Sequence, residues 1–144
     1  MDITIRKAQI CDIPDIIKMN TELNDVVSTE DWITESLQRN DRETVLVAVH
    51  GDRPIGFVCG QLYKSICYPN GAQSEISELF VCEEYRGNGI AARLVKALEA
   101  EFIKNNASEI ILKTGRDNLS ARKVYEKCGY EDYGEVVYFK EIER

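Results

Sequence analysis

A glycine-containing segment near the middle of the chain has the residue types of an anion-binding turn. It reads Arg86-Gly87-Asn88-Gly89-Ile90-Ala91 and separates an apolar run that ends near Val81 from a helical pattern that continues to about Asn105. The first N–H groups of a helix have no acceptor within the helix, and the helix dipole adds partial positive charge there. Glycines remove the Cβ atoms that would hold a phosphate away, and Arg86 adds a permanent cation. The segment predicts an anion site; a turn with no ligand is the alternative.

A second segment combines helix start and stop signals with a tyrosine on an apolar face. Asn118 is a preferred helix N-cap residue, and Gly129 is typical of a helix end. Between them, Tyr125 lies on an apolar stripe at helical spacing. A tyrosine on such a stripe usually belongs to the core, so the stripe alone favours a packing role for Tyr125 over a catalytic one.

The elements expected around these segments alternate between strands and helices. Periodicity and turn residues predict strands at 3–7, 44–50, 55–63, 73–81, 109–114, 130–133 and 136–142. They predict helices that begin at Asp12, at Ser28 or Thr29, within the 86–91 turn, and at Asn118. This order predicts an α/β (mixed α+β) fold, with a twisted mixed sheet of about seven strands flanked by about four helices.

Length and composition restrict the class of protein. The 144 residues predict one domain over positions 1–144, and the net charge of −7 argues against nucleic acid as a partner. No apolar run approaches the roughly 20 residues of a membrane span, and no leader is apparent, so we expect no membrane association. The five cysteines include no Cys-x-x-Cys pair and there is one histidine, which predicts a cytoplasmic protein without a metal site.

Both segments resemble signatures of the GNAT superfamily of acetyl-CoA-dependent N-acetyltransferases. The family's pyrophosphate signature is Gln or Arg, two residues, Gly, one residue, then Gly or Ala, and Arg86 to Ala91 matches it in full. Residues Asn118 to Tyr130 resemble its Asn-x-x-Ala-x-x-x-Tyr-x-x-x-Gly-aromatic segment. A dinucleotide-binding fingerprint is disfavoured because it needs a further glycine and an acidic residue about 20 positions later.

The resemblance implies where acetyl-CoA would bind. The pyrophosphate would lie on the 86–91 turn, and the pantetheine arm would lie along the backbone of strand residues 79–81 like an added strand. Asn118 would cap its helix and also contact the arm. The residues expected to contact the coenzyme are Leu79, Phe80, Val81, Arg86, Gly87, Asn88, Gly89, Ile90, Ala91, Asn118 and Tyr125.

The same resemblance implies catalytic roles. Tyr125 would be the general acid, because a phenol with an ordinary pKa of about 10 exchanges a proton with an alkyl thiolate at nearly equal energy. The family position six residues before the strand-end valine often contacts the acceptor, which selects Glu75 as base or amine anchor. Regular alternation predicts that Glu75 and Glu78 lie on opposite faces of the strand. Glu78, or a chain of water molecules, remains an alternative base.

These features predict direct acetyl transfer from acetyl-CoA to a primary amine in a ternary complex. Covalent transfer through Cys82 is the weaker possibility, since no histidine is near it in sequence. The acidic balance favours a cationic acceptor, and we expect a small-molecule amine rather than a protein or peptide amine. A non-enzymatic acyl-CoA sensor would keep the 86–91 turn and have no need of Tyr125 or a base. Pairing of the last strand across a homodimer is left open.

Overall fold

The computed structural model describes residues 1–143 as one sheet with helices on both faces. The strands are β1 (Ile3–Lys7), β2 (Glu43–His50), β3 (Arg53–Tyr63), β4 (Ala72–Val81) and β5 (Ala107–Leu112), and the helices are α1 (Ile13–Asn24), α2 (Glu30–Arg39), α3 (Ile90–Lys104) and α4 (Leu119–Lys127). The strands lie in sequence order; the first three pairings are antiparallel, and β4 pairs with β5 in parallel. None of these helices is long and apolar enough to cross a membrane.

Two apolar layers hold the sheet between helices. On one face, Leu94, Leu98 and Phe102 of α3 pack against residues of β3 and β4, with Leu94 and Leu98 fully excluded from solvent. On the other face, residues of α1 cover Phe57 and Phe80, whose ring centroids lie 6.3 Å apart. Full burial of one such side chain contributes roughly 1.5–3 kcal/mol. These layers fix β4 and the start of α3, which form the candidate site.

The start of α1 is joined to β1 by an ion pair between the partly exposed Arg6 and the buried Asp12. Asp12 precedes the first residue of this helix, as predicted, but its side chain does not cap the helix: the carboxylate accepts from Arg6 Nη1 at 2.7 Å and Nη2 at 2.9 Å. The Gln9 N–H donates to the same carboxylate at 2.7 Å. Burial alone would raise the pKa of Asp12, but these hydrogen bonds outweigh it and hold the pKa below its ordinary value. Asp12 therefore joins a strand to a helix.

The two closing strands predicted at 130–133 and 136–142 are not formed, so that prediction was wrong. The chain leaves α4 through Gly129 at φ 92°, and every residue of the C-terminal tail (residues 131–143) is exposed. A strand is stable only when a neighbour satisfies its N–H and C=O groups, and the tail has no such neighbour in residues 1–143. The sheet has five strands instead of about seven, while the mixed α+β fold class is confirmed.

Candidate active site

The 86–91 turn presents main-chain N–H groups at the start of α3. Gly87 and Gly89 have φ of 79° and 75°, values that other residues rarely adopt. Asn88 Nδ2 donates to the carbonyls of Tyr85 at 2.9 Å and Arg86 at 3.2 Å, which stabilises the turn. Across residues 1–143, the N–H groups from Gly87 to Ala92 donate to no protein acceptor. The predicted helix start is confirmed, and its donors are available to an anion.

The Arg86 side chain folds back onto the end of β4. Its Nε donates to the Val81 carbonyl at 2.8 Å, and its guanidinium carbon lies 5.4 Å from the centroid of the Phe80 ring. The guanidinium is thus part of the wall of the turn, and its positive charge remains beside the helix start. The sequence motif indicated a cation here, but it did not indicate that the side chain also joins the turn to the strand.

β4 has an open edge immediately before the turn. It pairs with β5 only from Ala72 to Ile76, and the last pair is Ile76 with Leu112. β4 then continues to Val81 without β5 beside it. Consecutive N–H groups along a strand point to opposite edges, and the Cys82 N–H donates to Ile55 in β3. The N–H groups of Leu79 and Val81 therefore point into the gap between β4 and β5.

A β-bulge at Ser77 changes which side chains share a face of β4. Cys59 opposes Glu78 while its neighbour Gly60 opposes Ile76, so Ser77 has no partner in β3. Glu75 and Glu78 consequently lie on the same face of the sheet, the face covered by α1. The prediction that Glu75 and Glu78 lie on opposite faces was wrong, because the extra residue at the bulge shifts the alternation of side chains between the two faces by one position.

The carboxylates on this face differ in their surroundings. Burial raises the pKa of Glu78 above its ordinary value. A hydrogen bond from Asn24 at the end of α1 lowers the pKa, but by less than burial raises it. Glu75 lies 3.6 Å from Lys113 Nζ in an ion pair that solvent reaches. Glu43 of β2 contacts Ser36 of α2 on the same side and also accepts from Gln61 at 3.2 Å. This face of the sheet is therefore acidic.

Helix α4 carries the two residues of the second motif. Asn118 Oδ1 accepts from the Ala121 N–H at 3.2 Å, which confirms the predicted cap. Tyr125 is half-buried, and its ring lies edge-on to Tyr130 with centroids 6.1 Å apart. Burial, followed by the charge of Glu78, raises the pKa of Tyr125. The phenol therefore keeps its proton at neutral pH.

One cleft of about 810 Å³ brings most of these groups together. Of the residues predicted to contact the coenzyme, it is lined by Leu79, Phe80, Val81, Arg86, Gly87, Gly89, Ile90, Ala91, Asn118 and Tyr125. Asn88, Glu75 and Glu78 are outside this lining. Glu22 and Leu23, from the last turn of α1, line the cleft although the sequence analysis did not select them. Their position depends on how α1 packs over the sheet, which no local motif encodes.

The cleft is suited to an anionic ligand. Its lining includes unpaired N–H donors at the start of α3, the part of β4 whose edge has free N–H groups, and the protonated phenol of Tyr125. No group of three or more His, Cys, Asp or Glu side chains in residues 1–143 could hold a metal ion.

Comparison with known proteins identifies the family. The model of the acetyltransferase (GNAT) family matches residues 12–130. An uncharacterized N-acetyltransferase of Archaeoglobus fulgidus is 34% identical over 130 residues, which cover 84% of this chain and 88% of that protein. N-alpha-acetyltransferase 30 of Schizosaccharomyces pombe is 38% identical over 93 residues, 63% of this chain and 59% of that protein. The chain belongs to the GNAT family and is an N-acetyltransferase; this family uses acetyl-CoA as its co-substrate.

Solved structures share the fold at low sequence identity. The aminoglycoside acetyltransferase meta-AAC0020, from an uncultured soil metagenomic sample, superposes with a TM-score of 0.85 at 15% identity, covering 99% of this chain and 97% of that one. The aminoglycoside 6'-N-acetyltransferase AAC(6')-Ih from Acinetobacter baumannii gives 0.82 at 19% identity, with coverage of 99% and 100%. The predicted family and fold class are confirmed.

Proposed function

We propose that this protein transfers the acetyl group of acetyl-CoA directly to a primary amine of a small cationic molecule. The observation that carries the proposal is the row of N–H groups from Gly87 to Ala92 that have no acceptor in the described chain, at one end of a cleft that also contains Tyr125. A diphosphate bound there would place the rest of the coenzyme along β4.

The chain would position the coenzyme through its backbone. The N–H groups of Gly87 to Ala92 would bind the pyrophosphate, and Arg86 would both fix the end of β4 and add positive charge. The open edge at Leu79 and Val81 would bind the pantetheine arm as a strand would. Bound acetyl-CoA supplies an activated acetyl group. A main-chain N–H at this edge would also stabilise the developing oxyanion, a contribution of about 2.7–4 kcal/mol in comparable sites.

Tyr125 would donate the proton that the departing thiolate requires. Its phenol lines the cleft, and burial together with the Glu78 charge raises its pKa, so the proton is present at neutral pH. Asn118 would contact the coenzyme arm while it caps α4. Its Oδ1 is already used by the Ala121 N–H, which leaves the Nδ2 group for that contact.

A carboxylate on β4 would remove the proton of the amine. Most alkylammonium groups have a pKa near that of lysine, about 10, so the amine must lose a proton before it attacks. Partial burial raises the pKa of Glu78, and its charge acts on Tyr125, which favours Glu78 as the base. Glu75, the residue selected by family position, shares its face and would anchor the ammonium group.

Direct transfer is favoured over a covalent intermediate on Cys82. Burial raises the pKa of the Cys82 thiol, with a further contribution from Glu84, so little thiolate is present at neutral pH. No histidine contact activates this thiol in residues 1–143, because His50 contacts Tyr85 instead, with Nδ1 3.2 Å from the hydroxyl.

The acceptor class follows from charge. Glu43, Glu75 and Glu78 lie on the acceptor face, and the whole chain carries a net charge of −7. Such a surface attracts a cation with more than one amine. Solved structures with this fold include two aminoglycoside acetyltransferases. The second candidate is the amine at the N-terminus of a protein, favoured by the 38% identity to N-alpha-acetyltransferase 30 of Schizosaccharomyces pombe.

The test is thiol release from acetyl-CoA with three sets of acceptors. We expect turnover with polyamines and aminoglycosides, and at least tenfold lower kcat/KM with peptides that have one free N-terminal amine. Faster turnover with the peptides would support the second candidate. Coenzyme A binding without transfer to any amine would identify a sensor and refute the enzymatic proposal.

A further inference from the structure

Lys113 is the first residue after the paired part of β5. The last pair between β4 and β5 joins Ile76 to Leu112, and β5 ends there. Lys113 therefore lies where the gap between β4 and β5 begins. The proposed function places the pantetheine arm in this gap, on the free N–H groups of Leu79 and Val81. A lysine is thus positioned beside the region that would hold the thioester.

The ammonium group of Lys113 lies against one of the two carboxylates of β4. Its Nζ is 3.6 Å from Glu75 Oε1, and Glu75 shares a face of the sheet with Glu78. The proposed function assigns Glu75 to the ammonium group of an acceptor and Glu78 to the removal of its proton. Lys113 consequently occupies the position beside Glu75 that an acceptor amine would take.

The gap connects this face of the sheet with the cleft that contains Tyr125. Tyr125 packs against the apolar layer under α3, on the opposite face of the sheet from Glu78. The charge of Glu78 nevertheless contributes to the raised pKa of Tyr125. Such an effect weakens with distance, so the phenol and the carboxylate are close to each other across the gap. A proton donor and a proton acceptor therefore lie on either side of it.

The Lys113 side chain is long and free enough to enter the gap. Ser77 follows the last paired residue of β4 as Lys113 follows that of β5. From Ser77 to Leu79 is two residues, or about 7 Å at roughly 3.3 Å per residue. Lysine carries its ammonium group on a flexible four-carbon stem. The Lys113 side chain is 60% exposed and forms an ion pair only with Glu75 within residues 1–143, so little packing holds it in place.

We propose that Lys113 is an internal acceptor, whose side-chain nitrogen receives the acetyl group of acetyl-CoA bound to the same chain. The step rests on the proposed function and uses its groups. The Lys113 ammonium gives one proton to Glu78, the nitrogen forms a bond to the carbonyl carbon of the acetyl group, and the bond from that carbon to sulfur breaks. The departing thiolate takes the proton of Tyr125. A second proton from the nitrogen restores Tyr125, Glu78 returns its proton to solvent, and the products are acetyl-lysine and free coenzyme A.

Acetylation of Lys113 would also release Glu75. It removes the positive charge of the lysine and with it the ion pair. The Glu75 carboxylate then becomes available to the ammonium group of an added acceptor. Loss of a competing ion pair at an exposed site changes an affinity by about 1.5- to 5-fold. We therefore expect the acetylated protein to have a KM for the amine that is lower by that factor.

The first experiment incubates the unmodified sequence with isotopically labelled acetyl-CoA and no added amine, and locates the label by peptide mass spectrometry. The matched control within the chain is Lys7, which forms an ion pair with Glu101 at 3.5 Å on β1, at the opposite edge of the sheet. We expect Lys113 to be acetylated at least tenfold faster than Lys7, at a rate independent of protein concentration. Tyr125→Phe should slow acetylation at Lys113 and leave the rate at Lys7 unchanged.

The outcomes separate this proposal from the function on which it rests. Transfer to polyamines or aminoglycosides, with Lys113 acetylated no faster than Lys7, would overturn internal acetylation and leave the proposed function intact. Transfer to neither Lys113 nor these amines would overturn both. A rate that rises in proportion to protein concentration would show that one copy modifies another, which overturns transfer within a single chain.

The second experiment measures the KM for spermidine in two variants of Lys113. Lys113→Arg keeps a cation beside Glu75 that does not accept an acetyl group, and Lys113→Gln removes the charge as acetylation does. We expect the KM of Lys113→Gln to be about 1.5- to 5-fold lower than that of Lys113→Arg. Preincubation with acetyl-CoA should lower the KM of the parent protein towards the Lys113→Gln value and leave Lys113→Arg unchanged. Equal KM values for the two variants would refute the release of Glu75.

Discussion

Replacing Tyr125 by Phe separates its chemical role from its packing. The Tyr125 hydroxyl makes no hydrogen bond within residues 1–143, while its ring packs against Tyr130 and the apolar layer under α3. The Phe variant keeps the ring, so we expect the free energy of unfolding to change by less than about 0.5 kcal/mol. Loss of a positioned proton donor lowers kcat by roughly 10²–10⁴, which corresponds to about 2.7–5.4 kcal/mol at 1.36 kcal/mol per factor of ten.

The assay follows free thiol during transfer, with coenzyme A affinity measured by calorimetry. The matched control is Tyr130→Phe, which removes a neighbouring hydroxyl that is buried and has no partner in the described chain. We expect it to keep the parent kcat. If Tyr125→Phe retains the parent kcat under conditions where chemistry limits turnover, or if both variants lose activity equally, the assignment of Tyr125 as proton donor is refuted.

Three further tests concern the base, the turn and the fold. A base must be ionised, and burial raises the pKa of Glu78, so activity should fall as the pH decreases through that raised pKa. Glu78→Gln should remove this acidic limb of the pH–rate profile. Glu75→Gln should keep the limb and raise the KM for the amine. Gly89→Ala and Gly51→Ala both alter glycines at positive φ and should each destabilise the fold by about 1 kcal/mol, but only Gly89→Ala should weaken coenzyme A binding in calorimetry. Asp12→Asn should lower the free energy of unfolding by roughly 1.5–3 kcal/mol at pH 7 in urea titrations, because it removes a charged hydrogen-bond partner of Arg6. Since the folded-state pKa of Asp12 is depressed, that difference should be present above about pH 4, the ordinary pKa of Asp, and disappear as pH falls through the folded-state pKa.

Local chemistry made the anion-binding turn and the helix starts predictable. Gly87 and Gly89 adopt the positive φ that glycine allows, and Asn118 and Thr29 cap their helices through their own side chains. These features depend on a few neighbouring residues, so a short stretch of sequence is enough to identify them.

Features that depend on pairing between distant segments were not predictable in the same way. The bulge at Ser77 is fixed by the alignment of β4 on β3, where Cys59 and Gly60 oppose Glu78 and Ile76. No pattern within β4 itself reports that alignment, and the faces of its carboxylates were therefore assigned incorrectly.

The structure of the C-terminal tail also depends on pairing between distant segments, which the local sequence does not specify. Its alternation predicts two strands that the structure does not form, because a strand needs a neighbouring edge and alternation does not specify which edge the segment meets. The fold-back of Arg86 onto the Val81 carbonyl is likewise a tertiary contact that the motif alone does not contain.

The central claim is that unpaired amide hydrogens at the start of α3 bind the diphosphate of the coenzyme. The direct measurement is an amide chemical-shift titration of the labelled protein with coenzyme A. Our account predicts that the largest shifts occur at the N–H groups of residues 87–92, with further shifts at Leu79 and Val81. Saturable binding that leaves these amides unshifted, with the largest changes elsewhere on the surface, would contradict it.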